Sequence, residues 1–96
     1  MSLNQQIASA VSTGKCKIGT QSSIDALRTG EAKLVVVARN CKRNERDDIN
    51  RYAQFGGIKV QVFDGTSWDL GETIGKPFMV SAIAVIEAGD SKILKS

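Results

Sequence analysis

Five consecutive apolar residues, Leu34-Val35-Val36-Val37-Ala38, constrain this chain more than any other feature. A strand with one face in water alternates apolar and polar side chains. An unbroken apolar run has both faces covered, which marks an interior strand in a sheet lying between helical layers. No apolar stretch in the sequence is longer than this run, and a membrane-crossing helix needs roughly 20 such residues. The chain is therefore expected to have no membrane partner. With 96 residues, 42% of them hydrophobic and 24% charged, it has the composition of one globular domain, residues 1–96, with enough apolar mass to fold without crosslinks.

The rest of the pattern alternates helix and strand around that run. Leu3, Ile7 and Val11 recur every four residues and predict an amphipathic helix over 2–13, stopped by Gly14. Cys16 and Ile18 alternate with Lys15 and Lys17, as in a half-buried strand. Residues 19–23 read as a polar turn. Ser22 followed by Asp25 resembles a capping box that opens a helix ending at Gly30. After the apolar strand and a basic turn over 39–44, Ile49, Tyr52, Ala53 and Gly56 form one helical face. Gly56-Gly57 ends that helix. Ile58, Val60 and Val62 alternate as a third strand. Thr66 with Asp69 predicts a second capping box on a short helix broken by Gly75 and Pro77. Residues 80–86 form the last apolar strand, and Ala88-Gly89-Asp90 begins a polar tail. The order α-β-α-β-α-β-α-β predicts an α/β fold, a three-layer α-β-α sandwich around a mixed, largely parallel four-stranded sheet.

Composition excludes several chemistries. There is no histidine, which removes the commonest general base and metal ligand near neutral pH. The two cysteines, Cys16 and Cys41, form no C-x-x-C pair, so neither a metal site nor a cofactor is expected. Cys16 reads as a small buried apolar residue, and Cys41, beside the basic turn, as an exposed one. The sequence shows no basic start followed by an apolar segment, so a cytosolic chain is expected. The net charge of +3 hides an asymmetry. Residues 15–46 carry eight basic and three acidic groups, whereas residues 47–96 carry five basic and seven acidic ones. One cationic segment in an otherwise slightly acidic chain suits an anionic partner.

In sheets of this kind, ligands sit on the loops at the strand ends. Three loops are candidates. The first, Gly19-Thr20-Gln21-Ser22-Ser23, offers a glycine, hydroxyls, an amide and a helix start. Its serines serve equally as plain helix caps. The second, Arg39-Asn40-Cys41-Lys42-Arg43, joins an amide able to pair with a base edge to cations suited to phosphates. Asn40 could instead satisfy a turn. The third, Lys76-Pro77-Phe78-Met79-Val80, sets apolar side chains beside a lysine. Phe78 could stack on an unpaired base or belong to the core. Trp68, near a helix start, is expected to cover a surface groove. No G-x-G-x-x-G or G-K-[ST] signature follows a strand, and the adjacent acids Asp47 and Asp48 point about 100° apart on a helix, so a catalytic or nucleotide-binding reading has little to rest on.

These loops, in this order, resemble the large-subunit ribosomal protein thirty-e family within the L-seven-Ae superfamily of kink-turn RNA binders. The resembling stretches are Gly14-Lys15 to Gly19, Ala32 to Cys41, Tyr52-Ala53, Leu70-Gly71, Gly75-Lys76, Val85 and Ala88-Gly89-Asp90-Ser91. The match spans nearly the whole chain, and the lack of extensions looks archaeal. The resemblance implies a structural component of the large ribosomal subunit, in the cytoplasm, with no catalysis. It would bind kink-turn-like ribosomal RNA beside neighbouring ribosomal proteins and would be a monomer when free. Carried over by position, Gly19, Gln21 and Ser22 approach the bent strand. Arg39 and Asn40 face the bulge. Lys42, Arg43 and Arg46 serve phosphates. Lys76 lies beside the apolar wedge of Phe78 and Val80 near the extruded base. Small-ribonucleoprotein members of the superfamily typically open the second helix with Asn-Glu. Gln21-Ser22 stands here instead and favours the ribosomal branch over that alternative. Pro77 falls in a loop where other members often vary.

Overall fold

The buried run becomes the strand around which everything else is laid down. In the computed structural model, which describes residues 3–87 and 89, Leu34–Ala38 (β2) is buried along its whole length. Successive side chains of a strand point to opposite faces. Leu34, Val36 and Ala38 accordingly enter one apolar cluster, and Val35 and Val37 the other. The first cluster is closed by Ile7 and Ala10 of α1 (Leu3–Thr13) and by Leu70 of α4 (Ser67–Thr73). The second is closed by Ala26 and Leu27 of α2 (Thr20–Arg28) and by Ile49 and Ala53 of α3 (Arg43–Gly56). The three-layer sandwich thus follows from one unbroken apolar strand whose alternate residues serve two helical layers.

The remaining strands are β1 (Lys15–Ile18), β3 (Lys59–Phe63) and β4 (Ala82–Glu87), and the sheet order is β1-β4-β2-β3. This corrects the expectation of a largely parallel sheet. Only β2 and β3 pair in parallel; β4 lies between β1 and β2 and is antiparallel to both. The reason is the reach of the last connection. A parallel crossover must carry the chain back along the full length of a strand. The seven-residue α4 rises only about 10 Å. Gly75 (φ 74°) then reverses the chain. The Val80 N–H donates to the Ser67 carbonyl at 3.0 Å, returning the chain to the level at which α4 began. Strand β4 therefore enters the sheet at the end where the other three strands leave it.

Two local expectations are also revised. Helix α2 starts at Thr20, so residues 20–23 form its first turn instead of a loop, and the Ser22–Asp25 capping box does not form. Gly19 adopts φ 107°, a conformation closed to most L side chains, which lets β1 turn straight into α2. In β3, Val62 is 53% exposed while Phe63, outside the alternating set, is buried at 1%. By contrast, the Thr66–Asp69 box forms fully, with the Asp69 N–H donating to Thr66 Oγ1 at 3.3 Å and the Thr66 N–H to Asp69 Oδ2 at 3.1 Å. Of the tail, Ala88 and Asp90 lie outside the described residues.

Gly71 sits inside α4, where glycine is usually unfavourable. A Cβ there would collide with the backbone carbonyl of Phe78, so the returning loop can lie against the helix only at a glycine. Gly71→Ala is expected to destabilise the fold by about 1–3 kcal/mol through overpacking, read as a lower urea midpoint. An unchanged midpoint would mean that the loop does not need this close approach.

Candidate nucleic-acid interface

Because β4 runs against its neighbours, all three candidate loops emerge at one end of the sheet, and backbone hydrogen bonds tie them together. The Gly19 N–H donates to the Ala82 carbonyl at 2.8 Å, joining the start of α2 to the start of β4. The Ala38 N–H donates to the Ser81 carbonyl at 2.8 Å and the Arg39 N–H to the Gly65 carbonyl at 2.9 Å. Thr20 Oγ1 reaches Glu45 Oε2 at 3.5 Å, linking the first turns of α2 and α3.

Asn40 is the centre of this arrangement. Its Oδ1 accepts the Ser67 N–H at 2.8 Å, capping the first turn of α4 from 27 positions away. The oxygen is spent on the fold, while no described residue accepts a hydrogen bond from the amide nitrogen, and the residue is exposed. Arg46 has a supporting position: Nη2 donates to the Arg39 carbonyl at 2.6 Å, and its buried Nε has no protein partner. It holds the second loop from beneath. Lys42 and Arg43 are exposed at the start of α3. Arg39 meets Asp64 at 3.7 Å, with both side chains largely in solvent. Such pairs contribute about 0–1 kcal/mol, so an arriving phosphate could displace the carboxylate.

The helix starts at this end differ. Neither α2 nor α3 has a side-chain cap, and α2 has no acid in its first turn. Their first-turn N–H groups and the positive ends of their dipoles remain open to anions. The α4 start is closed by Asn40, Thr66 and Asp69. Around Gly19, a Cβ would meet nothing within 4 Å, so the backbone faces open space that a ligand can approach. Gln21 is exposed and donates from Nε2 to Asp25 Oδ1 at 3.2 Å; Ser22 is half-buried beside it.

In the third loop the structure contradicts the expectation of an exposed Val80. Val80 is 1% exposed and belongs to the core beneath α4, so it has no surface to present. The exposed apolar groups are Phe78 at 50% and Met79 at 58%, with exposed Lys76 before them. Val80 is drawn inward where its N–H donates to the Ser67 carbonyl at the start of α4, a contact between segments that the local sequence does not show.

The cysteines offer no reactive thiol. Cys41 is buried, contrary to expectation, because its N–H closes a turn onto the Ala38 carbonyl. Burial raises its pKa, Glu45 raises it further and Arg46 opposes the shift. Cys16 packs partly against the core, and burial pushes its thiol up to about 11. Among the described residues, no group of three or more His, Cys, Asp or Glu could hold a metal ion.

Comparison with known proteins places this geometry in context. The family model described as "Ribosomal protein L7Ae/L30e/S12e/Gadd45 family" matches residues 1–95. The "Large ribosomal subunit protein eL30" of Methanopyrus kandleri is 40% identical over 92 residues, covering 96% of this chain and 84% of the relative. The protein of the same name from a strain of Methanococcus maripaludis is 44% identical over 94 residues, covering 98% and 94%. That of Saccharolobus solfataricus is 38% identical, covering 98% and 87%. A solved structure of a protein of unknown function from Bacillus halodurans C superposes with a TM-score of 0.82 at 22% identity, covering 99% of this chain and 95% of that one, and shares the fold.

Asn40→Ala should remove the α4 cap and lower stability by about 1 kcal/mol in urea titration, whereas Asn40→Asp, which keeps the acceptor, should hold wild-type stability. Equal losses in both would separate the cap from the oxygen. Cys16 gives a pH test. Its folded pKa of about 11 lies above the ordinary 9.0, so the unfolded chain loses its proton first. Stability from this group is complete below pH 9.0 and declines toward 11. Cys16→Ala should therefore show a shallower alkaline decline in urea midpoint than the wild type.

Proposed function

The chain belongs to the Ribosomal protein L7Ae/L30e/S12e/Gadd45 family, and from that premise we propose that it is a structural component of the large ribosomal subunit in the cytoplasm, binding kink-turn-like ribosomal RNA and holding it bent. The single domain carries this role by binding, without chemistry. It is a monomer when free and has ribosomal RNA and neighbouring ribosomal proteins as partners. The observation that most supports the reading is the fastening of three loops into one surface by the Gly19–Ala82, Ala38–Ser81 and Asn40–Ser67 hydrogen bonds. The name shared by the similar archaeal proteins supports the ribosomal assignment. Gln21-Ser22 at the opening of α2 favours it over a small-ribonucleoprotein role.

The residues divide the work by chemistry. A sharp bend crowds phosphates together, and that repulsion keeps the bent state scarce in free RNA. Lys42, Arg43, Arg39 and Lys76, with the open N-termini of α2 and α3, neutralise it. Gly19 lets the backbone near Gln21 and Ser22 come close to the strand. The Asn40 amide nitrogen donates to a base edge in the bulge, held in aim because its oxygen is fixed to Ser67. Arg46 keeps the loop in place. Phe78, with Met79 in the role first given to Val80, rests against the unstacked nucleotide. Since these contacts exist only with the bent form, binding shifts the RNA population toward it.

A gel shift with a kink-turn RNA and a straight duplex of equal length tests this. The kink-turn should bind preferentially. Phe78→Ala and Asn40→Asp should erode that preference. Arg43→Ala should weaken both RNAs alike and reduce the log–log salt slope by roughly 0.7–0.9. Equal affinity of the wild type for both RNAs would contradict the proposal.

A further inference from the structure

An exposed groove on α4 adjoins the cationic loops and shares Lys76 and Pro77 with them. Trp68, the sole tryptophan of the chain, stands 60% exposed on the first turn of α4. With Asp69, Glu72, Lys76 and Pro77 it lines a groove of about 380 Å³. A second groove, lined by Phe63, Asp64, Asp69, Glu72 and Thr73, shares two of those carboxylates. Helix α4 contains no lysine or arginine, Glu72 makes no ion pair with a described residue, and the Asp64 side chain is 96% exposed. The face therefore combines an aromatic plate with the carboxylates of Asp69 and Glu72 against one lysine, and Asp64, paired with Arg39, lies at its edge. It borders the cationic loops but has the opposite sign.

We propose that this α4 face docks an arginine-bearing segment of a protein partner. A guanidinium stacks on an indole and pairs with a carboxylate through its planar fork, and Trp68 and Glu72 offer both in one groove. RNA is the wrong occupant of this groove, because its phosphates would be set against Asp69 and Glu72. The inference rests on the ribosomal reading only in that a subunit component has protein neighbours. It adds which surface meets one of them and through what chemistry.

Trp68 supplies its own readout, since all tryptophan emission comes from this face. The full chain is titrated at low salt with the peptide acetyl-Gly-Arg-Gly-Arg-Gly-amide and with the same peptide carrying neutral citrulline for arginine. The arginine peptide should change the emission saturably, and the citrulline peptide should bind about fivefold or more weakly. Glu72→Gln should weaken the arginine peptide about threefold, while its gel shift with kink-turn RNA stays at the wild-type level. Equal responses to the two peptides, or indifference to Glu72→Gln, would overturn the proposal. So would a kink-turn gel shift that Trp68→Ala weakens as much as Phe78→Ala does, which would assign the face to nucleic acid. Failure of the wild type to prefer kink-turn RNA counts against the ribosomal RNA reading alone, because the peptide titration contains no RNA.

Discussion

The structure depends on one strand entering the sheet from the wrong direction. Three strands run alike, and had β4 joined them, its entry loop would lie at the far end of the molecule. Instead α4 and the chain after it fold back on themselves through Gly75, and β4 slots between β1 and β2 antiparallel to both. One end of the sheet thus receives the starts of α2 and α3 and the loop preceding β4 together. The cationic groups and the apolar tip share a surface for this reason.

Fastening gives that surface its definition. A loop bearing charges would wander if only its ends were held, and each lost degree of freedom would be charged against binding. Here the end of β2 and the loop after it are anchored through Ala38, Arg39 and Asn40 to two other segments, at Ser81 and at residues 65–67, and Arg46 holds the Arg39 carbonyl. In the proposed role Asn40 couples folding to recognition most directly, because the same amide that closes α4 through its oxygen has its nitrogen left for RNA. The charge pattern is divided just as sharply. Uncapped helix starts and exposed cations lie on the α2–α3 side, and carboxylates with an exposed indole on the α4 side.

Much of this was legible in the residues because it depends on local period. The unbroken run at 34–38 announced a covered strand, the 3.6-residue spacing of Ile49, Tyr52 and Ala53 a helix, and Thr66 with Asp69 its neighbour's capping box. What escaped depends on distance or on a single torsion. Sheet order is set by pairing between remote strands, and the path through Gly75 leaves no periodic trace. The start of α2 turned on the φ of Gly19, which a hydroxyl–acid pattern at Ser22 cannot reveal. The Asn40 contact spans 27 positions, and Val80 and Cys41 turned inward where adjacent polar or exposed residues suggested surface. The three loops nonetheless stood out as candidates, since a glycine, an amide among cations, and an aromatic beside a lysine are unusual companions for plain turns.

The central claim is that this end of the sandwich selects a bent RNA. The most direct measurement is energy transfer between dyes on the two arms of a kink-turn RNA, in buffer without divalent cations so that the free RNA is mostly extended. Added protein should drive the arms together, raising transfer efficiency in step with binding and to the same endpoint at every RNA concentration. Saturated binding with transfer unchanged would contradict the account, since the loops would then hold RNA without bending it.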